Sequence, residues 1–134
     1  MNPQSKLPSS DTPWPHFMAE EFYKATPSCG PLQMDPFFMR CIEEIRTRSG
    51  VPFHINSAYR TVEYEKSKGR SGNSFHCVGQ ALDVRCTSSV DRYKILEATL
   101  FFGQLSVMIY PTFIHFDNRP TLKVMIFDQS KNAV

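Results

Sequence analysis

No apolar run in this 134-residue chain approaches the roughly 20 residues that a membrane-spanning helix needs. Membrane insertion is therefore not expected. The opening residues, Met1 to Pro8, lack the apolar centre of a secretory signal, so the chain is expected to be made without an export signal and to remain cytoplasmic. Charge of one sign is also scarce. Fifteen Lys and Arg against 13 Asp and Glu leave a formal +2, and the basic residues are scattered. That excludes the basic stripe needed to track a phosphate backbone, and no nucleic-acid partner is expected. The four cysteines, Cys29, Cys41, Cys77 and Cys86, show no C-x-x-C spacing, which argues against a cysteine-only zinc site. Their even number permits disulfides, but we read them as small apolar thiols. There is no internal repeat and no low-complexity block. A chain of this length fits one domain with its own core, and we expect a monomer.

What is present organises that domain. Residues 1–16 carry Pro3, Pro8, Pro13 and Pro15, which resist helix and strand, so an extended surface arm is expected there. The domain proper is placed at 17–127 and a polar tail at 128–134. Phe17, Met18 and Phe22 recur at helical spacing and predict a short helix over Phe17 to Ala25, broken by Thr26-Pro27 and Gly30-Pro31. Asp35-Pro36 starts a second helix, since aspartate caps free amides and proline is tolerated at the first helical position. Phe38, Cys41, Ile42 and Ile45 give it a buried face, Phe37 is read as core beside Phe38, and Gly50 stops it.

Val51 to Ala58 alternates as a strand and delivers Tyr59 and Arg60 to a loop end. A short capped helix over Thr61 to Lys68 and a glycine-rich loop from Gly69 to Ser74 follow. Gln80 to Cys86 is the next strand. Ser88 or Ser89 caps a helix over Val90 to Phe102, whose apolar side is read as Val90, Tyr93, Leu96, Leu100 and Phe101. Strands over Gln104 to Tyr110, Thr112 to Asp117 and Leu122 to Phe127 complete the chain. This order implies an α+β fold with helices packed on one face of a largely antiparallel sheet.

The chemistry begins at Ser74-Phe75-His76-Cys77-Val78-Gly79-Gln80-Ala81-Leu82-Asp83, where an imidazole and a carboxylate flank a glycine ahead of a strand. Zinc takes nitrogen and oxygen ligands tetrahedrally, and a hydrolytic site keeps three protein ligands with water in the fourth position. His76 and Asp83 supply two. Phe113-Ile114-His115-Phe116-Asp117 offers the third, His115, within a strand-like run. Taken singly, His76 reads as a loop histidine and Asp83 as a strand-end hydrogen-bonding carboxylate; the set is what points to a metal.

The pattern S-x-H-x-x-G-x-A-x-D, followed by a late apolar-apolar-His, resembles the zinc D-alanyl-D-alanine carboxypeptidase family, which includes phage endolysins. Ile55-Asn56-Ser57-Ala58-Tyr59-Arg60 is similar to that family's strand ending in Ser-Gly-Tyr-Arg, with Ala58 where glycine is usual. The resemblance spans about residues 17 to 117. It implies a Hedgehog-like zinc fold, a Zn2+ cofactor and hydrolysis of short peptides containing D-residues, such as peptidoglycan stems. It also implies a peptide substrate as partner and, for a phage lysin, release from the host cytoplasm.

Arg60 is the expected substrate clamp, because a guanidinium grips a carboxylate or a polarised carbonyl with two donors; a solvated loop arginine is the alternative. Ser74 and Tyr59 join it as substrate-binding residues, Ser74 alternatively capping its turn. The catalytic base is where the chain departs from the family. Relatives place an acidic residue three positions before the last histidine, here Thr112, or a second histidine two before it, here Phe113. Asp117 remains, and as a strand neighbour of His115 it is read as the base, as the carboxylate that fixes the imidazole, or as a partner of Arg119. Because Thr112 is not acidic, a zinc-bearing domain that binds peptide or protein without catalysis stands as the second reading. His16 and His54 fall outside the pattern.

Overall fold

The structure, a computed structural model, describes residues 14–23 and 33–127. The arm before Trp14, the breaks at Thr26-Pro27 and Gly30-Pro31, Cys29 and the tail 128–134 lie outside the described residues. Helices α1 (Ala19–Tyr23), α2 (Pro36–Ser49), α3 (Val62–Ser67) and α4 (Ser89–Phe102) combine with strands β1 (His54–Ser57), β2 (Ala81–Arg85), β3 (Ser106–Ile109), β4 (Phe113–Asp117) and β5 (Val124–Ile126). A 3-10 turn, Phe75–Val78, precedes β2. The sheet runs β1-β2-β4-β3-β5, antiparallel except where β5 pairs parallel with β3. This is the α+β class expected from the order of elements.

Side-chain alternation gives the sheet two different faces. Leu82, Val84, Val107, Ile114 and Phe116 enter one buried core with Phe38, Ile42 and Ile45 of α2 and Ile95 and Ala98 of α4. Register fixes the opposite face: Asp83 pairs with His115, and Ala81 with Asp117. The intervening residues of β2 and β4 belong to the core, so the ionisable ones collect on the side away from the helices. There Met108, Tyr110 and Phe113 form a second, smaller cluster, with Tyr110 stacked between Phe113 and Phe127.

Caps fix the helix ends where sequence placed them. Asp35 accepts the Phe38 amide at 2.9 Å, and Gly50 closes α2 in the left-handed region. Thr61 caps α3 through the Tyr64 amide at 3.0 Å. Ser88 caps α4 through the Asp91 amide at 3.3 Å, and Gly103 closes it.

Four expectations are corrected. Trp14 is buried in the core, so the end of the expected surface arm is tucked in. Met18 is exposed while Phe17 and Phe22 meet edge to face at 5.8 Å, since a five-residue helix buries only a narrow stripe. Phe37 is 48% exposed, because Phe38, Met39, Cys41, Ile42 and Ile45 already fill the α2 face. The largest correction is the phase of α4. Val90, Tyr93, Leu100 and Phe101 are exposed, and the inward stripe is Ile95, Ala98 and Thr99. Leu96 and Phe102 pack partly against that core. Small residues at 98 and 99 let α4 sit close to α2, which outweighs the larger apolar side chains on the other side. Arg48 lies over the exposed Phe101 ring, its guanidinium carbon 3.4 Å from the ring centre, and also pairs with Glu97 at 2.8 Å.

Candidate metal centre

His76, Asp83 and His115 come from three segments and meet on the sheet face away from the helices. Ser74 takes an extended conformation that turns the chain into the 3-10 turn, and Gly79 closes the turn at φ 71. The turn rests against the start of α2, where the Gly79 carbonyl accepts the Asp35 amide at 2.9 Å. A Cβ at Gly79 would collide with the Gln33 carbonyl oxygen and stand 3.0 Å from the Asp35 nitrogen. Glycine at this motif position is thus required by close approach as well as by the left-handed backbone.

The imidazole of His76 is buried, and its Nδ1 lies 2.6 Å from the Ala58 carbonyl oxygen. A carbonyl only accepts, so Nδ1 carries the proton and the lone pair sits on Nε2. That Nε2 has no hydrogen-bond partner among the described residues and lies 3.5 Å from Asp83 Oδ1. An acceptor buried without a donor is rare and costly. His115 Nδ1 lies 2.8 Å from the same Asp83 oxygen, and its Nε2 lies 2.8 Å from Asp117 Oδ2.

Burial alone would raise the Asp83 carboxyl, but the neighbouring His76 and the hydrogen bond with His115 hold it well below the usual carboxylate range. Burial alone would lower His115, yet hydrogen bonds to Asp117 and Asp83, with their charges, push it up to about 9. Asp117 is likewise held low against its burial, first by Arg119 and then by His115. Without a metal, a proton shared between His115 and its two carboxylates satisfies the site. A cation can replace that proton, because the three donor atoms lie within 4.8 Å of one another. The separations of 2.8 and 3.5 Å at Asp83 Oδ1 bracket the roughly 3.3 Å expected between neighbouring ligands of a tetrahedral zinc. Two neutral imidazoles, one carboxylate and the partnerless Nε2 suit zinc.

The other sequence-selected residues are distributed unequally around this cluster. Asp117 is fully buried; Arg119 donates from Nη2 to Oδ2 at 2.6 Å and from Nε to Oδ1 at 2.8 Å. Asp117 thus meets His115 and Arg119 together. Arg60 is not a solvated loop arginine: it is buried, with Nε 3.0 Å from Glu65 Oε2. Its amide donates to the His76 carbonyl at 3.1 Å. Tyr59 packs partly against the core, and Ser74, half-buried at the start of the 3-10 turn, makes no side-chain cap and lies 3.8 Å from the Cys77 sulfur. Thr112 is exposed and Phe113 joins the aromatic cluster. His54 is exposed, and His16 pairs with Glu43 of α2; neither approaches the cluster.

Glu65 and Arg119 received no functional role from sequence. Glu65 sits in Glu63-Tyr64-Glu65-Lys66, which reads as a solvated helix surface, so nothing local marks it as buried. Arg119 follows Asp117 by two residues and was legible only as a possible partner of it.

The family model described as Peptidase M15 matches residues 15–117 of the chain. No curated protein matches it.

Proposed function

The chain belongs to the peptidase M15 family, and from that membership we propose that it is a zinc-dependent peptidase acting on short peptides that contain D-residues, such as peptidoglycan stem peptides. The observation that carries the metal part of this reading is the buried, partnerless Nε2 of His76, aimed at the carboxylate that His115 also contacts. His76 through Nε2, Asp83 through its carboxylate and His115 through Nδ1 would hold the ion. When bound, zinc lowers the pKa of water towards about 7 and polarises a peptide carbonyl.

The chain's own groups prepare this chemistry. The Ala58 carbonyl fixes the His76 tautomer, and Asp117, accepting from His115 Nε2, fixes the other imidazole with its lone pair on Nδ1. Both oxygens of Asp117 are engaged by Arg119 and His115, which supports the orienting role over that of free base. Arg60 would hold the carboxylate or carbonyl of the peptide, with Tyr59 and Ser74 beside it. The resemblance to cell-wall peptidases supports the substrate class.

A second reading is a zinc-bearing domain that binds peptide without cutting it. It is favoured by the same engagement of Asp117 together with the exposed Thr112 at the position where relatives carry an acid. Incubating the zinc-loaded protein with peptidoglycan stem peptides and following free D-alanine or new amino groups by mass separates the two. Turnover supports the peptidase; saturable binding without turnover at any pH supports the binding domain.

A further inference from the structure

Arg119 follows β4 and joins the metal cluster through Asp117, yet only one edge of its guanidinium is used there. Nε donates to Asp117 Oδ1 at 2.8 Å and Nη2 to Oδ2 at 2.6 Å, so a fully buried carboxylate fixes the planar fork from one side. The Arg119 amide adds a third bond, to Oδ1 at 3.1 Å. Two further neighbours locate the group. Nη2 lies 3.7 Å from the Met108 sulfur, and the guanidinium carbon lies 5.5 Å from the centre of the Phe75 ring. Met108 pairs in register with His115, and Phe75 directly precedes His76. The guanidinium is therefore flanked by the segments that carry both histidines of the cluster. Its Nη1 makes no hydrogen bond among the described residues, and the side chain is 24% exposed.

Arg60 differs on both counts. Glu65 offsets its charge at 3.0 Å, and its side chain is only 5% exposed. The charge of a bound zinc would in turn be offset by Asp83 and Asp117, which leaves Arg119 as the uncompensated charge of these groups and the one that reaches solvent. We propose that the free edge of Arg119, led by Nη1, binds a carboxylate of the peptide, which makes Arg119 a specificity-determining residue in addition to Arg60. The proposal rests on the reading of the chain as a protein that takes peptides at this site. A guanidinium held on one edge keeps donors for a second acceptor, and because Asp117 has already ordered it, little further freedom is lost when the peptide arrives. The carboxylate is either the C-terminal one or that of an internal acidic residue, and the same chemistry recognises both.

Three forms of one peptidoglycan stem peptide test this: all carboxylates free, the C-terminus amidated, and the internal acid amidated. On zinc-loaded protein kcat/KM is read, or Kd where a peptide is held uncut; on zinc-stripped protein Kd is read by calorimetry. Wild type is expected to prefer the free peptide over one of the amides by about 10–100-fold, and the disfavoured amide identifies the carboxylate. Arg119→Gln should shrink that preference to about twofold or less, since no charged donor remains. Arg119→Lys keeps a charge for Asp117 but has no second edge, so it should lose most of the preference as well, and it decides alone if Arg119→Gln does not fold. A residue that only steadies Asp117 would weaken all three peptides alike and leave the preference standing. Collapse of the preference in either measurement supports the proposal. A preference that survives substitution in both, or a wild type that shows none, overturns it and leaves the peptidase reading in place. A wild type that neither cuts nor binds any of the three overturns both.

Discussion

His115 and Asp117 stand two residues apart on one face of β4, with Nε2 of the imidazole 2.8 Å from Oδ2 of the carboxylate. Strand alternation places both side chains on the same side, and the register with β2 sets Asp83 beside the other nitrogen of that ring. One imidazole is thereby held between two carboxylates, of which only Asp83 also faces His76.

Asp117→Asn should therefore preserve the fold but weaken zinc affinity by about 10–100-fold, with activity recovered as zinc is raised. Turnover measured across a zinc titration checks this. A base would instead lose about 10²–10⁴-fold at saturating zinc.

His76→Ala and His115→Ala should each abolish stoichiometric zinc in metal analysis of the purified protein. Stripping the wild type with a chelator should lower its melting temperature, since a ligand at a thousandfold excess over its Kd stabilises by about 4 kcal/mol. Neither alanine variant should respond to the chelator in a thermal melt.

Arg60→Lys keeps a charge near Glu65 but loses the planar fork that reaches two acceptors. We expect kcat/KM to fall roughly 10²-fold while stability drops by only about 1–2 kcal/mol. Peptide kinetics set beside denaturant titration show the split; unchanged kinetics would remove Arg60 from substrate binding.

Gly79→Ala combines a left-handed backbone with a collision against the Gln33 carbonyl. Destabilisation of roughly 2–5 kcal/mol is expected, with loss of zinc affinity because the 3-10 turn carries His76. Urea unfolding and chelator competition on the same sample measure both.

Much of this was written locally in the chain. Caps at Asp35, Thr61 and Ser88, stops at Gly50 and Gly103, and period-two alternation through Phe113 to Asp117 act over four residues or fewer, so sequence alone set the elements and the fold class. The order and spacing of His76, Asp83 and His115 also stood in the sequence, together with the family they point to.

The phase of α4, the exposure of Phe37, the burial of Trp14 and the pairing of Arg60 with Glu65 were decided only in three dimensions. Periodicity shows that a helix has an apolar side, but the side that faces inward depends on what packs against it, and α2 selected Ile95, Ala98 and Thr99 over larger residues. Likewise, a charge in a polar run looks solvated until the fold closes over it. Hydrogen-bond geometry and desolvation are properties of the assembled site, and they determine which nitrogen of each histidine faces the metal position and which carboxylate is already engaged.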